Sequence, residues 1–342
     1  MAMAPRIAPL LLTLLLLSAL SFTLGNDCAV SPDTIKLRDG RTLAYCEYGA
    51  SADEATSTVL HSNGSGGSRL EWPGDETMLR NLGIRFIGVD RPGHGHSDPQ
   101  PNGRVVIDWA RVEIAQLLDH LGVDKFYVEG WSAGGCYALA IAHQFGFTGR
   151  VLGGAILSGI GPPDRPDPFL DLNPQIAQWM EFARDGDETA VRDLRKPMVE
   201  LMQSFNAAAI GDMLAMPGAK GLDDIEIANR PDLKVLMGMN FKEGFRQGAD
   251  GPTQDDLAIN SPWGFREQDI SGNVHIDIWQ GEVDQNVPIH QGFYQDSIIP
   301  NSTLHIVKGN AHLFPLFQWE EILRTLVAPL PDNETGTDKA EL

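Results

Sequence analysis

Cysteine is scarce: three occur in 342 residues, at positions 28, 46 and 136, with no C-x-x-C pair among them. That excludes a disulfide-dense miniature scaffold and gives no support to a metal site built on cysteine. Basic residues are also few. Lys and Arg number 26 against 46 Asp and Glu, a formal net charge of −20, which repels phosphate backbones and anionic lipid surfaces and excludes nucleic acid as a partner. Beyond the first 25 residues no apolar run approaches the length needed to cross a bilayer, and no internal repeat or low-complexity tract is visible. An apolar content of 42% with 36 Gly and 22 Pro is that of an ordinary globular chain, which excludes disorder and collagen-like structure. The length suits one large α/β domain carrying an insertion, or two modest domains.

What is present begins with an address. Arg6 gives a short positive head, Leu10 to Leu20 reads LLLTLLLLSAL, and a small-residue exit follows at Gly25. This order is that of a secretory signal peptide over 1–25; an uncleaved anchor is the alternative, because apolar residues extend from Ile7 to Leu24. Cleavage removes Arg6 and leaves a mature net charge of −21 with no membrane span. In an oxidising lumen Cys28 and Cys46 are the pair expected to join, leaving Cys136 as a small buried hydrophobe; three free thiols are the alternative. Sequons stand at Asn63, Asn301 and Asn333, so a glycoprotein is expected, with Asn333 in the polar 331–342 tail the best acceptor. The terminal Lys339-Ala340-Glu341-Leu342 resembles an ER-retention signal with Ala in place of Asp, so either secretion or retention in the ER lumen follows.

After the leader, β-rich runs alternate with helical patterns, as in a mainly parallel sheet covered on both faces. Residues 34–37 and 41–48 flank Asp39-Gly40 and form the expected opening hairpin. Compact apolar runs at 57–61, 84–90, 126–130 and 151–157 read as buried strands, with helices near 76–82, 105–121 and 133–144 between them. In 105–121, Ile107, Ala110, Ile114, Leu117, Leu118 and Leu121 share one amphipathic face. Strand patterning then stops. Residues 162–262 read as a helical cap inserted between core segments 26–161 and 263–330, the second of which contributes strands at 274–280 and 303–307 and a closing helix near 319–326.

Chemistry concentrates at Gly130-Trp131-Ser132-Ala133-Gly134, between a strand and a helix. Flanking glycines relieve the crowding of such a sharp turn and leave Ser132 Oγ exposed beside a helix N-terminus. A serine nucleophile needs a neutral imidazole and a carboxylate to orient it. Downstream, Asp284 follows the 274–280 strand and His312 follows the last strand in Gly309-Asn310-Ala311-His312, both at strand C-terminal ends. Asp164 is the rival acid, while Glu282 reads as a surface charge and the other eight histidines as surface or structural residues. His94-Gly95-His96 lacks a third ligand, so no metal is expected.

With these motifs in this order, the chain resembles the α/β-hydrolase fold superfamily from Thr34 to Leu326. Asp90-Arg91-Pro92-Gly93-His94-Gly95-His96-Ser97 is similar to that family's loop after strand four. Val59-Leu60-His61 followed by Ser62-Asn63-Gly64-Ser65-Gly66-Gly67 is similar to its oxyanion segment, departing from the usual His-Gly. The resemblance implies a carboxylesterase-like or lipase-like serine hydrolase without a cofactor. Ser132 would attack, His312 move the proton and Asp284 fix its tautomer, with the N–H groups of Ala133 and Asn63 forming the oxyanion hole, the latter open by one residue. Trp131 would wall the pocket for a small-molecule, neutral and apolar ester. Seven of the ten methionines (Met180, Met198, Met202, Met213, Met216, Met237 and Met239) lie in the cap, some expected to face that pocket and most to pack helices. A C–C bond hydrolase, an aminopeptidase, an acyltransferase in natural-product biosynthesis and a non-catalytic small-ligand receptor are the alternatives, and the oligomeric state stays open.

Overall fold

A computed structural model describes residues 27–100, 103–214 and 221–329. The leader, Met216, Asn333 and the terminal tail lie outside the described residues. Eight strands form one sheet in the order β1-β2-β4-β3-β5-β6-β7-β8. They are β1 Asp33–Lys36, β2 Thr42–Gly49, β3 Ser57–Ser62, β4 Ile84–Val89, β5 Phe126–Trp131, β6 Val151–Leu157, β7 His275–Gly281 and β8 Ser302–Val307. The opening hairpin is antiparallel, with Asp33 opposite Tyr45, and every pair from β3 onward is parallel. The chain runs outward from β3 to β4 and then returns past β3 to β5. That reversal opens a crevice at the strand C-termini, where a parallel sheet receives ligands.

Strands buried on both faces read as near-continuous apolar runs, and β4, Ile-Arg-Phe-Ile-Gly-Val, is buried throughout, its one charge, Arg85, paired with Glu47 on β2. On one side the helix Gly134–Gly146 packs on β5 and β6. On the other, the helix Pro315–Val327 buries Trp319, Ile322, Leu323 and Leu326 against a cluster that includes Phe86 and Trp131. The continuous helix expected over 105–121 is instead interrupted. A π turn, Trp109–Ile114, separates helical segments Val106–Asp108 and Ala115–Leu121. Glu113 lies within it, 1% exposed and ion-paired to Arg41 Nη1 at 2.7 Å. Apolar periodicity assigns a glutamate there to the solvent face and carries no sign of a buried partner 72 positions earlier in the chain.

Between β6 and β7 the described residues hold six α-helices: Pro174–Arg184, Glu188–Ser204, Ala207–Leu214, Leu222–Ile227, Pro231–Gly244 and Asp250–Ile259. Asn173 and Asp187 cap the first two by accepting from the N–H groups of Gln175 and Ala190. Ala207–Leu214 and Pro231–Gly244 meet almost backbone to backbone. Gly211 faces the main chain of Lys234 and Gly238 that of Ala207, with no room for a side chain at either. Cys28 and Cys46 form a disulfide with Cα atoms 6.0 Å apart, and Cys136 is free and buried. Among the described residues no helix is long and apolar enough to cross a membrane.

The insertion is tied to the sheet by a buried charge cluster. Asp255, on Asp250–Ile259, accepts from Arg91 Nε at 2.9 Å, Arg91 Nη2 at 2.7 Å, Tyr137 Oη at 2.7 Å and the guanidinium of Arg104. Burial opposes its charge, yet the two guanidiniums hold the carboxyl far below the usual range. Asp255→Ala strands two buried cations and should destabilise the fold by about 3–5 kcal/mol, read from the urea unfolding midpoint.

Candidate active site

The turn after β5 is strained. Ser132 has φ of +57°, a left-handed conformation disfavoured for a residue with a Cβ, and costs of order 1–3 kcal/mol. Its N–H donates to the Leu157 carbonyl at 2.8 Å, and its own carbonyl accepts from Gly135 at 3.0 Å and Ile160 at 3.1 Å. Gly134 makes room for the neighbouring loop. A methyl group there would stand 2.8 Å from the Asn63 oxygen and closer still to the Ser62 carbonyl. The strand-to-helix turn therefore touches the segment following β3.

Asp284 and His312 come from the loops after β7 and β8. Asp284 Oδ2 lies 2.7 Å from His312 Nδ1, so the imidazole donates from Nδ1 and Nε2 is left for other work. The other carboxylate oxygen, Oδ1, accepts from the N–H groups of Asn286 at 2.8 Å and Val287 at 3.0 Å, which fixes the acid before the histidine meets it. Trp131 Nε1 donates to the His312 carbonyl at 3.1 Å. Burial disfavours the imidazolium, but the charge and hydrogen bond of Asp284, reinforced by Asp223 and Asp224, outweigh it and raise the His312 pKa above 6.5. The rival Asp164 sits in the electrostatic neighbourhood of Glu267 and Tyr294. Glu282 accepts from Lys308 Nζ at 3.0 Å and the Gly309 N–H at 2.8 Å. His94 and His96 have separate partners, the Pro92 carbonyl and Glu243.

The loop after β3 is pinned from beneath. Gly64 donates its N–H to Glu71 Oε1 at 2.8 Å, while Arg91 donates to the carbonyls of both Asn63 and Gly64. Glu71 also receives Asn240 Nδ2 at 2.9 Å. His61 stands between Glu129, 2.6 Å from Nδ1, and Glu71, 3.1 Å from Nε2. Desolvation opposes its charge, but the two carboxylates push its pKa up to about 9. Asn63 is 1% exposed with its Nδ2 donated to the Gly64 carbonyl at 3.3 Å, which leaves no room for a glycan. Asn301 Nδ2 donates to the Gly272 carbonyl at 3.1 Å.

Ser132, Trp131 and His312 line one cavity of about 340 Å³. Its wall is richer in tryptophan than in methionine: Trp72, Trp179 and Trp319 join Trp131, whereas Met237 alone of the described cap methionines lines it. Met180 and Met202 are buried in helix packing. Arg195 enters from the helix Glu188–Ser204, stacked 4.6 Å over the Trp179 ring. It is spoken for: Nε and Nη2 each donate to Asp256 at 2.7 Å, and Nη2 to Ser65 Oγ at 2.8 Å.

The family described as alpha/beta hydrolase fold matches residues 58–318. The chain belongs to that family. A 2-hydroxy-6-oxononadienedioate/2-hydroxy-6-oxononatrienedioate hydrolase of Cupriavidus pinatubonensis is 25% identical over 291 residues, 84% of this chain and 89% of the relative. Against the multifunctional-autoprocessing repeats-in-toxin of Vibrio vulnificus the match is 31% over 149 residues, 40% of this chain but 3% of the toxin. The solved structure of an esterase from Exiguobacterium antarcticum has a TM-score of 0.60 at 17% identity, covering 87% of this chain and 98% of the esterase.

This hydrolase-fold site depends on residues that motif reading passed over. Glu71, Glu129, Asn240 and Arg195 have no local signature, because each gains its role from a partner far away in the chain. Arg91 was within reach, since it stands inside the motif after β4. His61→Gln leaves Glu129 and Glu71 buried without their cation and should cost about 3 kcal/mol of stability. The folded-state pKa of His61, about 9, exceeds the unfolded 6.5. Its contribution is therefore full below about pH 6.5 and lost as the pH rises through 9, a decline that denaturant titrations should show in the wild type and not in His61→Gln.

Proposed function

We propose that this chain is a serine hydrolase that cleaves a neutral, apolar ester through an acyl-enzyme. The observation that carries the reading is the meeting, in one apolar cavity, of a strained Ser132 with an imidazole already oriented by a fixed carboxylate. Ser132 Oγ attacks the ester carbonyl while its proton passes to His312 Nε2, and the oxyanion faces the N–H groups of Ala133 and Asn63. Collapse returns the proton to the departing alcohol and leaves an acyl-serine. Water, deprotonated by the same nitrogen, then releases the acid. Asp284 holds the tautomer throughout.

The wall chemistry supports a neutral substrate. The C. pinatubonensis relative is named for a dioate, but Arg195 is the one guanidinium among the described lining residues and is already bonded to Asp256. Tryptophans, Leu236, Met237 and Phe241 offer apolar area instead. The leader pattern and the Cys28–Cys46 disulfide support placing the enzyme in the secretory pathway.

A fluorophosphonate probe should label the wild type at Ser132, and Ser132→Ala or His312→Ala should lower kcat/KM on p-nitrophenyl esters by several orders of magnitude. Absence of labelling and of turnover across the ester series would favour a non-catalytic receptor and overturn the reading. Within the series, kcat/KM should rise from acetate to medium chains, each buried methylene adding about 0.8 kcal/mol until the cavity fills. Because the base must be neutral, kcat/KM should fall along a one-proton limb as the pH drops through a histidine pKa above 6.5.

A further inference from the structure

The loop bearing His312 is gripped by a carboxylate that the proposed chemistry does not use. Asp223, on the short helix Leu222–Ile227, is fully buried. Its Oδ1 accepts from the Ala311 N–H at 2.7 Å and its Oδ2 from the Leu313 N–H at 2.6 Å. The two oxygens of one side chain thus hold the backbone immediately before and immediately after His312. Leu222 adds a third bond, donating its N–H to the Gly309 carbonyl at 2.9 Å. Gly221 lets the segment come this close, since a Cβ there would lie 2.5 Å from the Ala311 nitrogen. On the sheet side, Trp131 Nε1 holds the His312 carbonyl and the Val283 N–H holds that of Asn310 at 3.0 Å.

We infer that Asp223 is a positioning residue for His312, a strap from the helical insertion that sets where the imidazole stands relative to Ser132. The inference rests on the proposed role of His312. A buried carboxylate accepting two main-chain N–H bonds is a stiff clamp, and a displacement of the base by a fraction of an ångström costs rate without weakening substrate binding. Without the carboxylate, the loop keeps only its sheet-side bonds, from Trp131 to the His312 carbonyl and from Val283 to that of Asn310, with Asp284 on the ring. The charged groups facing His312 are Asp284 from the β7 loop and Asp223 and Asp224 from this helix. Across the cavity, Arg195 is paired with Asp256, and Glu71 with His61.

Asp223→Asn keeps the shape but places an NH₂ against one of the two N–H groups and removes a charge. It should lower kcat about 10- to 100-fold with KM within about twofold, and move the acid limb of kcat/KM to lower pH. Asp223→Glu restores the charge without the geometry, so it should return the acid limb to the wild-type position while kcat stays low. Fluorophosphonate labelling of the wild type checks the reading of Ser132 and His312 separately. An NMR titration of His312 in Ser132→Ala, with and without Asp223→Asn, reads the same shift without activity. If Asp223→Asn fails to fold, the Asp223→Glu kinetics carry the test. Wild-type kcat in a folded Asp223 variant, or a loss of activity with an unmoved acid limb and His312 titration in Asp223→Asn, would show that Asp223 only docks the insertion and overturn the inference.

Discussion

Two loops leaving neighbouring parallel strands can reach backbone contact only where side chains are missing, and this site is built on one such gap. Gly134 has no Cβ, so the turn carrying Ser132 closes onto the carbonyls of Ser62 and Asn63. Everything else follows from that approach. It lies where the strand order reverses between β3 and β5, beside Ser132, whose backbone is in a conformation the side chain resists, and it brings the segment 62–64 against the turn whose Ser132 lines the cavity. The strain is tolerable because three main-chain hydrogen bonds at Ser132, two with the end of β6 and the residues just past it and one with the helix that follows the turn, over-determine its position.

Beneath this contact lies a layer of buried charge in which nearly every ion meets its opposite. His61 sits between Glu71 and Glu129, and Arg91 joins the Asn63–Gly64 peptides to Asp255 of the insertion. Such pairs add less net stability than well-packed apolar groups, but they penalise any arrangement that separates them. The consequence here is geometric: the loop after β3 and the helical insertion are tied to the same guanidinium. Cavity polarity obeys the same rule. Because Arg195 is consumed by Asp256, the wall presents aromatic and aliphatic surface to whatever lies against Ser132.

Much of this architecture was legible in the residues. Strand runs such as 151–157 need unbroken apolarity, and the Gly-Trp-Ser-Ala-Gly turn, the position of Asp284 and the position of His312 are local patterns anchored to strand ends. The helix expected over 105–121 shows where legibility stops, because Glu113 is drawn inward by Arg41 and no periodicity encodes that. The methionine-rich stretch left open which of its residues face the wall, for a similar reason. Composition shows that flexible apolar residues are present, but which of them point inward depends on helix contacts such as Gly211 with Lys234. Asp223 is the clearest case. It stands in an unremarked acidic pair, 89 positions from His312, and only the folded chain sets its carboxylate astride that loop.

The central claim is covalent: an acyl group must pass through Ser132. Rapid acid quenching of the wild type during turnover of an activated medium-chain ester, followed by intact-mass and peptide analysis, tests it directly. One acyl group per chain on Ser132, formed before the second product equivalent and lost in Ser132→Ala, is the predicted result. Turnover with no adduct, an adduct on another residue, or undiminished hydrolysis by Ser132→Ala would contradict the account.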